Sequence, residues 1–192
     1  MWRQRMKSRV TCLEKWKDGH IEEYETLRKQ QGCSISHDDD GSVIIEKLAL
    51  NEIFLAEKDA AKTSWIGLEV DGYDHGSHRS SGIMVSTGTG SSGWLYGAKR
   101  ITAQNIRGIA NELIDTAGAE SEILAALKEA KDDPNFAEQV ASTISQSTQF
   151  DTGLNRLYYL VREPAHQQMS DEGFCDNIKL TSELCDGQLC ID

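Results

Sequence analysis

Basic residues are scarce in this chain: 20 Lys and Arg stand against 31 Asp and Glu in 192 residues, a formal net charge of −11 at pH 7. Nucleic-acid phosphates demand a basic surface, so no nucleic acid is expected as a partner. Long apolar runs are also lacking. No stretch approaches the roughly 20 residues a helix needs to cross a bilayer, and no membrane partner is expected. Cysteine is sparse and odd in number: Cys12, Cys33, Cys175, Cys185 and Cys190 are too scattered for a small disulfide scaffold and lack zinc-site spacing. Reduced thiols are the expectation, with Cys185 and Cys190 as neighbours on adjacent strands. The histidines His20, His37, His75, His78 and His166 show no ligand spacing and read as solvated side chains. The acid run Asp38-Asp39-Asp40-Gly41 lacks the spacing and distal Glu of a calcium loop. What remains is a chain long enough for one domain, or one domain with an insert, around a real core.

The most informative stretch is Ile83 to Trp94, where an apolar strand-like run ends in a loop of Gly, Ser and Thr only. Such a loop lets backbone N–H groups and hydroxyls approach a ligand closely, as a nucleotide pocket requires. Gly88-Thr89-Gly90-Ser91-Ser92-Gly93 also satisfies G-x-G-x-x-G. A dinucleotide-binding oxidoreductase needs a following parallel strand closed by an acidic residue, whereas Glu112 and Asp115 fall inside an amphipathic helical pattern. A serine nucleophile at Ser91 or Ser92 is disfavoured because G-x-S-x-G is not matched. A glycine-rich hairpin or bulge that holds no ligand is the plain structural alternative.

Upstream, the apolar run Leu48 to Glu57 carries Asn51-Glu52 in its middle. Polar residues in an apolar strand need a partner, so the pair invites a functional reading. The structural alternative is a strand end where Asn51 turns the chain and Glu52 faces water.

Ala49-Leu50-Asn51-Glu52, followed some thirty residues later by Ser81 to Trp94, resembles in order and spacing the Leu-Asn-Glu motif and Thr-x-Thr-Gly-Ser-Thr signature of the NAD kinase family. Trp2-Arg3-Gln4-Arg5, Gly88, Trp94 and Arg162-Glu163-Pro164 point to the mitochondrial branch. The resemblance implies transfer of the γ-phosphoryl of ATP to the 2′-hydroxyl of the adenosine ribose of NAD, giving NADP, with Mg²⁺ as the metal. Phosphoryl transfer asks a protein mainly to position the acceptor and offset charge. The resemblance makes Asn51 the direct contact to NAD and Glu52 its buried orienting partner. It makes Thr87, Thr89, Gly90, Ser91, Ser92, Gly93 and Trp94 part of the loop on the adenosine side. It further implies a homo-oligomer, a dimer through this domain, and a mitochondrial address. Two alternatives stay open: a non-catalytic nucleotide-binding module and a Rossmann-type oxidoreductase.

Departures from the family pattern matter equally. Where many members have Gly-Asp-Gly before the signature strand, this chain has Ser81, which carries no negative charge. No Gly-Gly-Asp-Gly loop, the family's source of the catalytic Asp, occurs in the sequence. No catalytic residue and no metal ligand is therefore assigned, and the chain is read as a fragment that alone lacks the general base. Asp71-Gly72 and Asp186-Gly187 read as hairpin turns. Met1 to Val10, with Arg3, Arg5, Lys7 and Arg9, has the composition of a transit-peptide start but matches an internal strand of mitochondrial members.

The expected fold is α+β, mostly antiparallel, forming one NAD-binding domain over residues 1–192. A polar insert over 14–42 is expected to be a loop with one short helix near 20–30, and a helical segment covers 101–147. Val43 to Leu55 and Trp65 to Val70 alternate as strands, and Asp71-Gly72 turns into the strand bearing the signature loop. Ile106, Ile109, Ala110, Leu113 and Ile114 form one helical stripe; Ile123, Leu124, Leu127 and Ala130 form a second. Asp133-Pro134 opens a third helix holding Val140 and Ile144, and Leu157 to Val161 returns to strand. Ile178 to Asp192 reads as two strands around a turn.

Overall fold

The computed structural model describes residues 5–12, 33–37, 43–57, 61–116, 133–165, 171–182 and 187–191, with isolated positions 26, 29, 39, 59, 128 and 130. Side chains at 9–12, 43, 134 and 187–191 are outside that description. In chain order the strands are β1 Met6–Cys12, β2 Cys33–His37, β3 Val43–Ala49, β4 Glu52–Glu57, β5 Ser64–Val70, β6 Tyr73–Ser80 and β7 Gly82–Ser86. A 3₁₀ turn, Gly90–Ser92, leads to helices α1 Trp94–Lys99, α2 Ala103–Thr116 and α3 Pro134–Gln146. Strands β8 Leu157–Arg162, β9 Glu172–Cys175, β10 Ile178–Ser182 and β11 Gly187–Ile191 follow. Two compact units result, one of residues 1–90 with 152–192 and one of residues 91–151.

The first unit holds three sheets, ordered β1-β3-β2, β10-β5-β6 and β11-β4-β7-β8-β9. Every strand pairing among the described residues is antiparallel. The fold is α+β and mostly antiparallel, as the sequence pattern predicts. A Rossmann arrangement is ruled out for the signature strand. Antiparallel β4 and β8 flank β7 on both sides, whereas a G-x-G-x-x-G unit needs a parallel neighbour reached through its helix.

Period-two alternation explains how the sheets share a core. Ile66, Leu68 and Val70 of β5, Ile83 and Val85 of β7, and Tyr159 and Val161 of β8 point into one cluster with Met6, Ala49, Ile53 and Cys175. Met84 on the opposite face of β7 is also fully buried, so all five residues of this central strand are inaccessible. Burial of Cys175 pushes its thiol up to about 12, with the Asp71 carboxylate adding to the effect. Maleimide labelling of the folded protein at neutral pH, read by peptide mass mapping, is expected to leave Cys175 unmodified. Modification at the rate of a free thiol would contradict this packing.

The region 14–42 is not all loop: Cys33–His37 is a strand that sets Ile35 opposite Ile45, because a short apolar alternation gains pairing from the long β3 beside it. The helix expected near 20–30 lies outside the described residues except at Thr26 and Lys29, both helical. The run Val43 to Leu55 is two strands, broken at Leu50-Asn51, with β3 and β4 in different sheets. Asp71-Gly72 is the expected tight turn, with φ of 50° and 84°, the left-handed pair that a two-residue hairpin requires. It leads into β6, and only then into the signature strand β7. The last two strands do not form a hairpin, since β10 pairs with β5 and β11 with β4. Cys185, most of Trp2 to Arg5 and most of the stripe from Ile123 to Ala130 lie outside the described residues.

In the second unit, α2 and α3 pack through Ile106, Ala137 and Ala141, with Ile101, Ala103 and Val140 alongside. The cap expected at Asp133 is present: its carboxylate accepts the Asn135 N–H at 2.9 Å, with Pro134 opening the helix. Helix α1 begins earlier than the expected helical segment, at Trp94. Among the described residues no helix is long and apolar enough to cross a membrane.

Candidate functional site

The corner between β3 and β4 is where the two sequence motifs meet. Asn51 sits at the bend where the chain leaves one sheet for the next, and Glu52 begins β4 opposite Ser86, the last residue of β7. Thr87 follows at once and is fully buried. Its amide N–H donates to the Asn51 carbonyl at 2.9 Å. Its hydroxyl donates to the Leu50 carbonyl at 2.6 Å, lies 3.2 Å from the Asn51 carbonyl, and accepts the Gly90 N–H at 3.3 Å. Ser86 Oγ donates to the Thr87 carbonyl at 3.0 Å. Two segments 36 residues apart in sequence are thereby fastened by the Thr87 amide and hydroxyl of one at the backbone carbonyls of the other.

Gly90 completes this corner. A Cβ there would lie 2.5 Å from the Asn51 carbonyl oxygen and 2.7 Å from Ser86 Oγ. The close approach of the protein's own backbone accounts for glycine at this position. Gly88 is buried and Thr89 half-buried in the same turn.

In the second unit, Ser91 is buried, and its hydroxyl accepts the Phe150 N–H at 3.1 Å and lies 3.4 Å from the Phe150 carbonyl. Ser92, Gly93 and Trp94 are exposed, with Trp94 starting α1. Asn51 and Glu52 are half-buried. Within the first unit, Thr87 and Gly90 are interior, while Asn51, Glu52 and Thr89 retain accessible surface.

Ser81, which stands where the family pattern has Asp, is anchored at the other end of β7. Its amide and hydroxyl both donate to the Arg162 carbonyl, at 3.0 and 3.1 Å. Gly82 pairs with Arg162 and Ser86 with Tyr158. Arg162-Glu163-Pro164 is therefore separated from the Asn51 corner by the length of β7, about 13 Å at strand rise. Glu163 takes a left-handed φ of 49°.

One cluster has no signal in the sequence, where His75 and His78 read as solvated side chains. Both lie on β6. His75 Nδ1 is 2.8 Å from Asp171 Oδ2, and His78, nearly buried, has Nε2 at 3.5 Å from the same oxygen. Tyr159 of β8 donates its hydroxyl to Asp171 Oδ1 at 2.7 Å. Burial pushes the Asp171 carboxyl up, but the bonds from Tyr159 and His75 and the charges of His75 and His78 outweigh it and hold the group below its ordinary value. Burial, followed by the bond to Asp171, holds the Tyr159 phenol well above its ordinary range. No short spacing links Asp171 to either histidine in sequence, so only tertiary pairing reveals the cluster. Among the described residues, no three His, Cys, Asp or Glu side chains gather as a metal-ligand set.

The chain matches rat mitochondrial NAD kinase 2 at 22% identity, over 79% of this chain and 35% of the relative. The *Xenopus tropicalis* counterpart matches at 21% identity over 90% of this chain and 42% of its own length. The chain is related to the NAD kinases. The human mitochondrial NAD kinase 2 shares 31% identity over 71 residues, 37% of this chain. The chain spans well under half the length of these relatives. No family model matches it. Among solved structures, yeast NADH kinase complexed with NADH superposes with a TM-score of 0.47 at 13% identity, covering 91% of this chain and 40% of that one. An NAD kinase from *Archaeoglobus fulgidus* in complex with ATP gives 0.45 at 17% identity, covering 90% and 50%.

Proposed function

We propose that this chain is the dinucleotide-binding part of an NAD kinase, an enzyme that transfers the γ-phosphoryl of ATP to the 2′-hydroxyl of the adenosine ribose of NAD. The observation that carries the reading is the corner itself. The Leu-Asn-Glu and Thr-x-Thr-Gly motifs, distant in sequence, are joined by Thr87 at the carbonyls of Leu50 and Asn51. In this reading Asn51 and Glu52 hold the dinucleotide with the loop that follows Ser86. A divalent ion belongs to the proposed chemistry, but no residue of this chain is assigned to it, and no general base is assigned either. A mitochondrial address and pairing of two copies are part of the same proposal, supported by the names of the relatives and by the family resemblance.

Calorimetric titration with NAD tests the reading directly. Wild-type protein is expected to bind NAD, and Asn51→Ala to bind it more weakly by about 1–3 kcal/mol, the cost of leaving a polar partner unpaired. Unchanged affinity in the folded variant would remove Asn51 from the contact set. Incubation with NAD, ATP and Mg²⁺, followed by assay with an NADP-specific dehydrogenase, separates the two forms of the proposal. Binding without NADP formation corresponds to a binding module that needs a catalytic partner segment.

A further inference from the structure

We propose that Thr87 is a positioning residue and not a ligand contact: its hydroxyl fixes the backbone of Asn51 and so sets where the Asn51 side chain meets the dinucleotide. This rests on the proposed NAD-binding reading. The geometry leaves Thr87 little capacity for anything else. A hydroxyl has one donor and two acceptor positions, and this one is directed at the Leu50 and Asn51 carbonyls while accepting the Gly90 amide. The side chain is fully buried, so a ligand cannot touch it without opening the corner. The same Asn51 carbonyl also takes the Thr87 amide and lies against the bare face of Gly90. Asn51 is thus held from two directions at its backbone, while its half-buried side chain departs from that fixed point. Preorganisation of this kind avoids ordering the contact residue at the moment of binding.

The test compares Thr87→Val, which keeps the shape and deletes the hydroxyl, with Thr87→Ser, which keeps the hydroxyl and deletes a methyl. NAD affinity is expected to fall roughly tenfold in Thr87→Val and to stay within about threefold of wild type in Thr87→Ser. The ¹⁵N-resolved side-chain amide signal of Asn51, recorded without ligand, is expected to move in Thr87→Val and to hold its place in Thr87→Ser. Wild-type affinity in folded Thr87→Val, or an Asn51 signal that does not move, overturns the proposal. If Thr87→Val fails to fold, Thr87→Ser decides: retained affinity and an unmoved Asn51 signal support the role, and a tenfold loss overturns it. Failure of wild-type protein to bind NAD would instead defeat the functional reading, while the ligand-free Asn51 signal still reports whether Thr87 positions that side chain.

Discussion

Gly90→Ala is expected to destabilise the first unit by about 2–3 kcal/mol, as adding a methyl to a packed site does when its neighbours cannot yield. The added carbon would stand 2.5 Å from the Asn51 carbonyl oxygen and 2.7 Å from both the Asn51 carbonyl carbon and Ser86 Oγ. Two of these three atoms are backbone, and their positions are set by β4 and β7, which are paired directly beside them. The loop must therefore back away, breaking the bond from the Gly90 amide to Thr87 Oγ1. Urea unfolding should show a lower midpoint with or without NAD. If this glycine serves a ligand instead, bulk there acts on the ligand and spares the fold. An unchanged midpoint together with lost NAD binding would restore that reading.

Loss of Asp171 is the other large effect. Its carboxylate joins β6 and β8 by accepting from Tyr159 at one oxygen and from His75 at the other, with His78 3.5 Å away. Asp171→Ala leaves the Tyr159 hydroxyl partnerless beside the core, since Tyr159 is 5% exposed. It also strands a nearly buried His78 whose ring nitrogens make no hydrogen bond. A destabilisation of about 2–4 kcal/mol at neutral pH is expected, the range for removing one member of a hydrogen-bonded charged group.

The effect should depend on pH in a defined direction. A carboxyl whose folded pKa lies below its unfolded value contributes stability above the unfolded pKa and loses it as pH falls through the folded one. The gap between wild type and Asp171→Ala should therefore be full near neutrality and narrow below about pH 4. Chemical denaturation at pH 7 and pH 3 measures both ends. An equal gap at the two pH values would show that the carboxylate charge is not what the cluster holds.

The strands and helices with strong periodicity were legible because the signal is local. The alternation in Trp65 to Val70, the left-handed pair Asp71-Gly72, the cap at Asp133, and the part of the first helical stripe that is buried, Ile106 and Ala110 but not the exposed Ile109 and Leu113, each depend on neighbours within a few residues. The motif residues were legible too, since order and spacing survive in one dimension. Tertiary structure alone decided the rest. The break at Asn51 places β3 and β4 in separate sheets, because two short strands found different partners, and an apolar run does not state its partner. The histidines of β6 met Asp171 only through the pairing of β8 with β9 and the packing of the sheets, which bring together side chains 96 residues apart. Sequence determined that Gly90 is a glycine within a ligand-suited loop. The reason it is glycine, a carbonyl of residue 51 at its bare face, is a distance that exists only after the sheets have packed.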